Sequence, residues 1–208
     1  MYVSGTVKQY VDDAASGKPA PGGGSVSALA GALGASMGSM VCNFTVGKEK
    51  FKDVEGRAKE ILEVCEKSRL ALLSLMDKDV EEYKKVTAAY SLPKETDQQK
   101  VTRKEAIQEA LKSALGVPLA AFRECLDVLE QLTDLARIGN PNLISDVGVS
   151  AILSAAGLAG AKLNVDINLS SIKDEELVRT VRNEVENGLH LAKTLEAEVL
   201  AVVREKMG

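Results

Sequence analysis

One carboxylate interrupts the apolar stripe of a long amphipathic segment. Asp79 occupies a position on this stripe where the pattern calls for an apolar side chain. The apolar members, at intervals of three and four or sums of these, are Ile61, Cys65, Leu72, Leu75, Met76, Tyr83 and Val86. Burial without a cationic partner would raise the pKa of Asp79 towards neutrality, which a general acid or base needs near pH 7. The alternative is that Asp79 is hydrogen-bonded inside a bundle for structural reasons. Asp77 and Glu81 lie off the stripe and are expected to be solvated.

A second candidate is the Gly-rich turn Pro19-Ala20-Pro21-Gly22-Gly23-Gly24-Ser25, which opens a stretch without charged residues that lasts to Gly47. Three glycines before a Ser at a helix start leave backbone N–H groups free to meet an anion. The alternative is a flexible connection that ends with Ser25 as a helix N-cap. Neither GxxxxGK[ST] nor GxGxxG is matched, so the turn does not indicate a nucleotide-binding fold.

Polar residues also stand out in a second uncharged segment. Asp146 is the only charged residue between Arg137 and Lys162. It is either a ligand-binding group or a carboxylate placed favourably near a helix N-terminus. Asn164 and Asn168 are four residues apart, so both amides share one helical face and need partners from the backbone or from a ligand.

The elements that must position these residues are helices. Aromatic residues make up 3% of the chain, and no sustained alternation of β-branched residues indicates strands. We expect an all-α, up-and-down bundle of long helices in a single domain over residues 1–208. The expected helices span about residues 3–15, 25–46, 53–90, 99–137, 142–169 and 174 to the C-terminus, and Pro118 should kink or split the fourth.

Two of these helices, about residues 25–46 and 142–169, are apolar and rich in small residues, which predicts a buried central pair. Small residues of the first recur at three- and four-residue spacing, at Ala28, Gly31, Ala35 and Gly38, with Gly34 beside them. Such a face allows close approach of another helix backbone, or lies in a dimer interface. A membrane span is disfavoured because Gly, Ala and Ser stand where lipid-facing helices carry Leu, Ile and Phe.

Composition narrows the possible classes of function and the location. With 26 Lys and Arg against 30 Asp and Glu, the chain lacks the basic footprint that nucleic-acid binding requires. Three widely separated cysteines (Cys42, Cys65 and Cys125) and a lone His190 offer no metal-ligand set and no Ser-His-Asp triad, so buried thiols and no metal are expected. The N-terminus does not read as a secretory signal, and a cytoplasmic location is expected.

Several separate segments together resemble the cyclodeaminase/cyclohydrolase family of tetrahydrofolate enzymes. They are PAPGGGSVSALAGALGASMGSMV followed by NFTVGKEKF, then DKDVEEYKKVTAAYSLPK, ALGVPLAAF, GNPNLISDVGVSA and NVDINL. The resemblance implies an all-helical homodimer that binds folate in a cleft lined by the Gly-rich turn. It also implies an acid/base Asp with an aromatic residue four positions later, which here is Asp79 with Tyr83.

The resemblance implies chemistry at the 5,10-methenyl bridge of tetrahydrofolate, with no metal or redox cofactor. We expect hydrolysis of 5,10-methenyltetrahydrofolate to 10-formyltetrahydrofolate, because the sequence includes no formiminotransferase domain. The alternatives are a formimidoyltetrahydrofolate cyclodeaminase, which releases ammonia, and a non-catalytic helical interaction module. Asp146, Asn164 and Asn168 are candidates for the pterin, and Lys48 and Lys50 for the glutamate tail. The remaining substrate-binding candidates are Gly22, Gly23, Gly24, Ser25, Tyr83 and Asn140.

Overall fold

The computed structural model describes all 208 residues, of which 84% are helical, and it contains no strands. The six α-helices are α1 (Val7–Ala14), α2 (Gly23–Asn43), α3 (Glu55–Tyr90), α4 (Asp97–Ile138), α5 (Ile144–Leu169) and α6 (Glu175–Met207). Short 3₁₀ turns over Glu49–Val54 and Pro141–Leu143 precede α3 and α5. The all-α prediction is confirmed, and the predicted bounds lie close to the observed ones except that α1 starts later.

Helix starts follow local sequence signals. Thr96 accepts the Gln99 N–H at 3.2 Å while the Gln99 side chain accepts the Thr96 N–H at 3.0 Å, which is a capping box at the start of α4. Asp174 accepts the Leu177 N–H at 3.1 Å and caps α6. The Asp174 cap lies where the sequence places the start of the last helix, whereas α4 begins at Asp97, slightly before its predicted start.

Helices α2 and α5 form the central pair of the bundle. They run antiparallel, since Gly23 lies against Asn164 at one end and Gly34 lies against Ser150 and Ser154 further along. Helix α3 packs beside α2, α6 packs beside α5, and α4 packs against all four of these helices. Because α4 lies behind both members of the pair, the uncovered sides of α2 and α5 face the same way.

The two central helices approach each other closely through small residues. A Cβ added at Gly157 would lie 2.8 Å from the backbone nitrogen of Gly31 and 2.9 Å from the carbonyl oxygen of Ser27. Side chains larger than hydrogen therefore do not fit at this crossing. Ala28, Gly31, Gly34, Ala35 and Gly38 are all buried, as the small-residue pattern predicts.

Two further expectations concern single residues inside the bundle. Pro118 was expected to kink or split α4, and the split is wrong because α4 continues through Pro118 as one helix. Pro118 is buried, and packing against the neighbouring helices holds the two halves of α4 together despite the missing backbone N–H. Cys42, Cys65 and Cys125 are free and buried as expected, and burial raises the pKa of each thiol to about 12.

Candidate active site

A cavity of about 230 Å³ opens between the start of α2, the C-terminal part of α3 and the C-terminal end of α5. Predicted site residues from three distant parts of the sequence line it, namely Gly22, Gly23, Gly24, Asp79, Tyr83, Asn164 and Asn168. Tyr83, which the stripe places among apolar core residues, is 49% exposed and lies at the rim. The bundle thus brings the Gly-rich turn, the interrupted stripe and the paired amides to one place.

The carboxylate of Asp79 faces the first turn of α2. The Ser25 N–H donates to Asp79 Oδ2 at 3.0 Å. N–H groups in a first turn have no partner within their own helix, and the helix N-terminus favours a negative charge. Asp79 therefore caps α2 from a neighbouring helix.

Ser25 itself is not the N-cap, so the alternative interpretation of the turn is wrong on this point. Helix α2 begins at Gly23, its N-cap is Gly22, and no side chain of the turn caps it. Ser25 is buried in the first turn, and its hydroxyl lies 2.9 Å from the hydroxyl of Tyr10. The carboxylate of Asp79 takes the role that the sequence pattern gives to the Ser side chain.

Gly24 allows the close contact between α2 and Asp79. A methyl group at this position would collide with the carboxylate of Asp79. Only glycine lets the backbone of α2 come this near to Asp79. The sequence alone does not distinguish a glycine needed for such a close contact from a glycine in a flexible turn.

Burial raises the pKa of Asp79, and the hydrogen bond from the Ser25 N–H acts in the opposite direction. The net shift is upward, as the interrupted stripe predicts. A carboxyl group that holds its proton at higher pH than an ordinary Asp is suited to accept and return protons. Asp79 is therefore a carboxyl group of raised pKa that lines an open cavity.

Of the three other acidic residues near Asp79, Glu81 is exposed as expected, whereas Asp77 and Glu82 are buried. Asp77 was expected to be solvated, but it is 7% exposed and accepts the Tyr2 and Val3 N–H groups. That prediction is wrong because residues 2 and 3 fold over this part of α3. Glu82 was missed, although it lies one helical turn from Asp79 on the same face and lines the cavity.

Glu82 is 4% exposed and accepts hydrogen bonds from Lys85 Nζ at 2.6 Å and from Ser113 Oγ at 2.8 Å. Burial acts to raise the pKa of Glu82, but Lys85 and Ser113 outweigh it and the net shift is downward. Glu82 thus provides a fixed negative charge in the wall of the cavity, whereas Asp79 favours its protonated form more than usual.

The amides of Asn164 and Asn168 are tied to their own helix. Asn164 Nδ2 donates to the Gly160 carbonyl at 2.9 Å, and Asn168 Nδ2 donates to the Asn164 carbonyl at 2.8 Å. The backbone therefore supplies one partner for each amide. Their Oδ1 atoms remain available as acceptors for a ligand in the cavity.

Four predicted site residues lie elsewhere in the structure. Lys48, Lys50, Asn140 and Asp146 lie at the far end of α2, a helix about 30 Å long. Asn140 braces this end, since its N–H donates to Thr45 Oγ1 at 3.0 Å. Asp146 is partly buried in the first turn of α5, which is the favourable placement near a helix N-terminus.

The structure is therefore an all-helical bundle with a carboxyl group of raised pKa in the wall of an open cavity. The chain belongs to the formiminotransferase-cyclodeaminase family, whose model matches residues 6–187. The family resemblance of the sequence segments is thereby confirmed.

Named relatives of the chain are enzymes. Methenyltetrahydrofolate cyclohydrolase of Methylorubrum extorquens is 41% identical over 97% of both chains. Formimidoyltransferase-cyclodeaminase of Rattus norvegicus is 33% identical over 94% of this chain and 36% of its own length. The crystal structure of formiminotetrahydrofolate cyclodeaminase from Thermotoga maritima matches with a TM-score of 0.78 at 34% identity, over 97% of this chain and 94% of that one.

Proposed function

We propose that this protein hydrolyses 5,10-methenyltetrahydrofolate to 10-formyltetrahydrofolate. The observation that carries the proposal is the cavity in which Asp79, with its raised pKa, faces the Gly-rich start of α2. A relative named as this cyclohydrolase, which aligns over 97% of both chains, supports hydrolysis as the reaction.

In the proposed mechanism, water attacks the cationic methenyl carbon between N5 and N10. Ionised Asp79 accepts a proton from this water and offsets the positive charge of the substrate. The bond from the carbon to N5 then breaks, and Asp79 returns its proton to N5. The hydroxyl proton of the intermediate leaves to solvent as the formyl C=O forms on N10. The sum is one water consumed and one proton released, with no metal or redox cofactor required.

The cavity wall offers groups that match a pterin. Asn164 Oδ1 and Asn168 Oδ1 are acceptors, and first-turn N–H groups of α2 are donors. The volume of about 230 Å³ is below the roughly 300–1,000 Å³ typical of sites that enclose a whole drug-sized ligand. We therefore place the bicyclic end of the folate in this cavity and the glutamate tail outside it.

The second candidate is formimidoyltetrahydrofolate cyclodeaminase activity, which the Thermotoga maritima structure favours by its name and its TM-score of 0.78. In that reaction N10 attacks the formimino carbon on N5. The formimino group reacts in its protonated form, N5–CH=NH₂⁺. Asp79 would take the N10 proton and deliver it to this nitrogen, which leaves as NH₃ while the methenyl product keeps the positive charge. The same carboxylate serves both reactions because both pass through the methenyl bridge.

We also propose that the protein is a homodimer joined through the uncovered sides of α2 and α5. These sides form an apolar face that we call the α2/α5 face. Its most exposed members are Val26, Leu33, Phe44, Val149, Ile152, Leu163 and Ile167, each between 43% and 69% exposed. On α2 the exposed and partly exposed apolar residues recur every three or four positions, which is the spacing of a helix-packing seam. Monomers rarely leave so large an apolar area uncovered.

Both helices are also long and apolar enough to cross a membrane by length and composition. Within the bundle, however, 61% of the apolar window in α2 and 44% of that in α5 is buried. Helix α5 also carries Asp146, Lys162 and Asp166, which lipid would not accommodate cheaply. We therefore propose a second copy of this chain, rather than lipid, as the cover of the α2/α5 face.

A two-fold axis near the middle of this face would set α2 of one protomer antiparallel to α2 of the other. Lys48 and Lys50 of one protomer would then lie near the Gly-rich turn of its partner. In that arrangement the exposed lysines are available for the anionic glutamate tail, as the resemblance implies.

We further propose a cytoplasmic location and no nucleic-acid partner, consistent with the net charge of −4.

The test is to mix the purified protein with methenyltetrahydrofolate and, separately, with formiminotetrahydrofolate while following the methenyl absorbance. Loss of the absorbance from the first substrate selects hydrolysis. Its appearance from the second selects deamination. If a folded protein changes neither substrate, the enzyme proposal fails and the non-catalytic interaction module takes its place.

A further inference from the structure

We infer that Tyr10 is a positioning residue for Asp79, acting through Ser25. The inference rests on the proposed function and adds to it a role for the N-terminal segment. Nothing in the chemistry of the methenyl bridge calls for this tyrosine, which lies outside the cavity lining.

A short chain of contacts joins Tyr10 to the carboxylate. The hydroxyl of Tyr10 lies 2.9 Å from Ser25 Oγ, and the Ser25 N–H donates to Asp79 Oδ2 at 3.0 Å. Tyr10 is 6% exposed and is the buried residue of α1. Ser25 is thus held from two sides, at its side chain by Tyr10 and at its backbone by Asp79.

The first turn of α2 depends on these contacts with Tyr10 and Asp79 to keep its conformation. Its N-cap Gly22 has no side chain, and Gly23 and Gly24 follow, so the turn itself has little to hold its conformation. The direction of the Ser25 N–H therefore depends on contacts from outside α2. The hydroxyl of Tyr10 is the side-chain contact that Ser25 makes.

Tyr10 is in turn fixed by the segment before it. The ring of Tyr2 packs edge-on against the ring of Tyr10, with centroids 5.2 Å apart. The Tyr2 hydroxyl lies 3.2 Å from the carbonyl oxygen of Ala20, which lines the cavity. The N–H groups of Tyr2 and Val3 donate to Asp77, two residues before Asp79. An eight-residue helix is too short to be stable alone, so these contacts hold α1 in place.

The decisive variant is Tyr10→Phe, which keeps the buried ring and removes only the hydroxyl. We expect kcat for methenyltetrahydrofolate to fall about tenfold, as for a small misplacement of a catalytic group, with KM changed less. The acid limb of kcat should also move to higher pH, because a weaker Ser25 N–H bond raises the pKa of Asp79. The titratable groups that face Tyr10 are Asp79, Asp77 and Tyr2, and Asp77 keeps both N–H donors in the variant.

Two further variants separate positioning from packing. Tyr90→Phe removes the hydroxyl of an exposed tyrosine at the end of α3 and should leave kcat and its pH profile unchanged. Ser25→Ala removes the partner of Tyr10 and should reproduce both effects of Tyr10→Phe. The double variant should then be no slower than either single one, because the two changes break the same contact.

The inference is overturned if Tyr10→Phe keeps the wild-type kcat and pH profile, or if the two changes add fully in the double variant. Thermal unfolding identifies a Tyr10→Phe protein that does not fold, in which case the pH profile of Ser25→Ala decides. Wild-type protein that acts on neither folate would instead defeat the proposed function. The two failures are therefore distinguishable.

Discussion

Among single residues, Asp79 affects stability and proton transfer in opposite ways. Its burial makes the ionised carboxylate unfavourable for folding, and the same burial raises its pKa, which suits proton transfer. Its pKa is raised in the folded state, so it favours folding most below its unfolded pKa and loses that contribution as pH rises through the folded value. Asp79→Asn removes the ionised form and keeps an oxygen for the Ser25 N–H. We therefore expect the variant to unfold at the wild-type temperature or higher at pH 7, with the difference vanishing towards pH 4.

Thermal denaturation at both pH values checks this prediction. Glu81→Gln is the matched control, because Glu81 is exposed on the same helix two residues away. The control should leave the unfolding temperature near that of wild type at both pH values. A clear loss of stability of Asp79→Asn at pH 7 would mean that the carboxylate is a structural group rather than a destabilising functional one.

Gly24→Ala tests the contact between the start of α2 and the carboxylate. The added methyl group collides with Asp79 and must displace it from the Ser25 N–H. Turnover of methenyltetrahydrofolate should fall by about 100-fold, within the range for a misplaced catalytic group. Gly56→Ala, where a methyl group meets nothing within 4 Å, should keep wild-type turnover. Equal turnover in both variants would argue against the role of Gly24.

The sequence predicts some of these residue-level features because they are local. Asp79 is recognisable since it breaks a stripe within its own helix. The burial of Asp77 is not recognisable from the sequence, because the N–H group that covers this residue comes from Tyr2, 75 positions away. Ser25 matches the pattern of an N-cap, but an acceptor on another helix takes that role. Contacts between distant segments are what single-sequence patterns miss.

At the scale of helices, the central pair depends on the absence of side chains where α2 and α5 cross. Gly157→Ala places a methyl group 2.8 Å from the backbone of Gly31, which cannot yield as a flexible side chain can. We expect a loss of about 1–3 kcal/mol in the free energy of unfolding, the range for overpacking. Urea denaturation monitored by circular dichroism measures it.

Gly116→Ala in α4 is the control for this prediction, since a methyl group there meets nothing within 4 Å. It should stabilise the protein by up to about 1 kcal/mol through helix propensity. The two variants make the same chemical change and should have effects of opposite sign. Stabilisation by Gly157→Ala would contradict the close approach of α2 and α5.

Helix existence and order were predictable because the helices carry amphipathic stripes or uncharged apolar runs, and because Asp174 marks the start of α6. The starts of α2 and α5 are not marked in this way, since no side chain of the N-cap residue caps either helix. The small residues of α2 likewise indicated close packing before the partner helix was known. The continuity of α4 through Pro118 was not predictable, since it depends on the neighbouring helices. Propensity describes the isolated segment, and tertiary packing overrides it.

For the whole molecule, Leu33→Asp tests the dimer. Leu33 lies in the α2/α5 face and is 49% exposed in the protomer, so a carboxylate there is tolerated in a monomer and disfavoured in an apolar interface. Light scattering coupled to gel filtration should show a dimer for wild type and a monomer for the variant. Leu70→Asp, on the exposed side of α3 at 58% exposure, should remain a dimer. A monomeric wild-type protein would contradict the proposed homodimer.

We propose that Asp79 moves the protons in hydrolysis of the methenyl bridge. The most direct measurement is the rate at which wild type and Asp79→Asn consume methenyltetrahydrofolate, with folate binding measured on the same samples. We expect rapid loss of the methenyl absorbance with wild type. With Asp79→Asn we expect a turnover lower by roughly 100-fold or more, while the variant still binds folate. Wild-type turnover by Asp79→Asn would contradict this proposal.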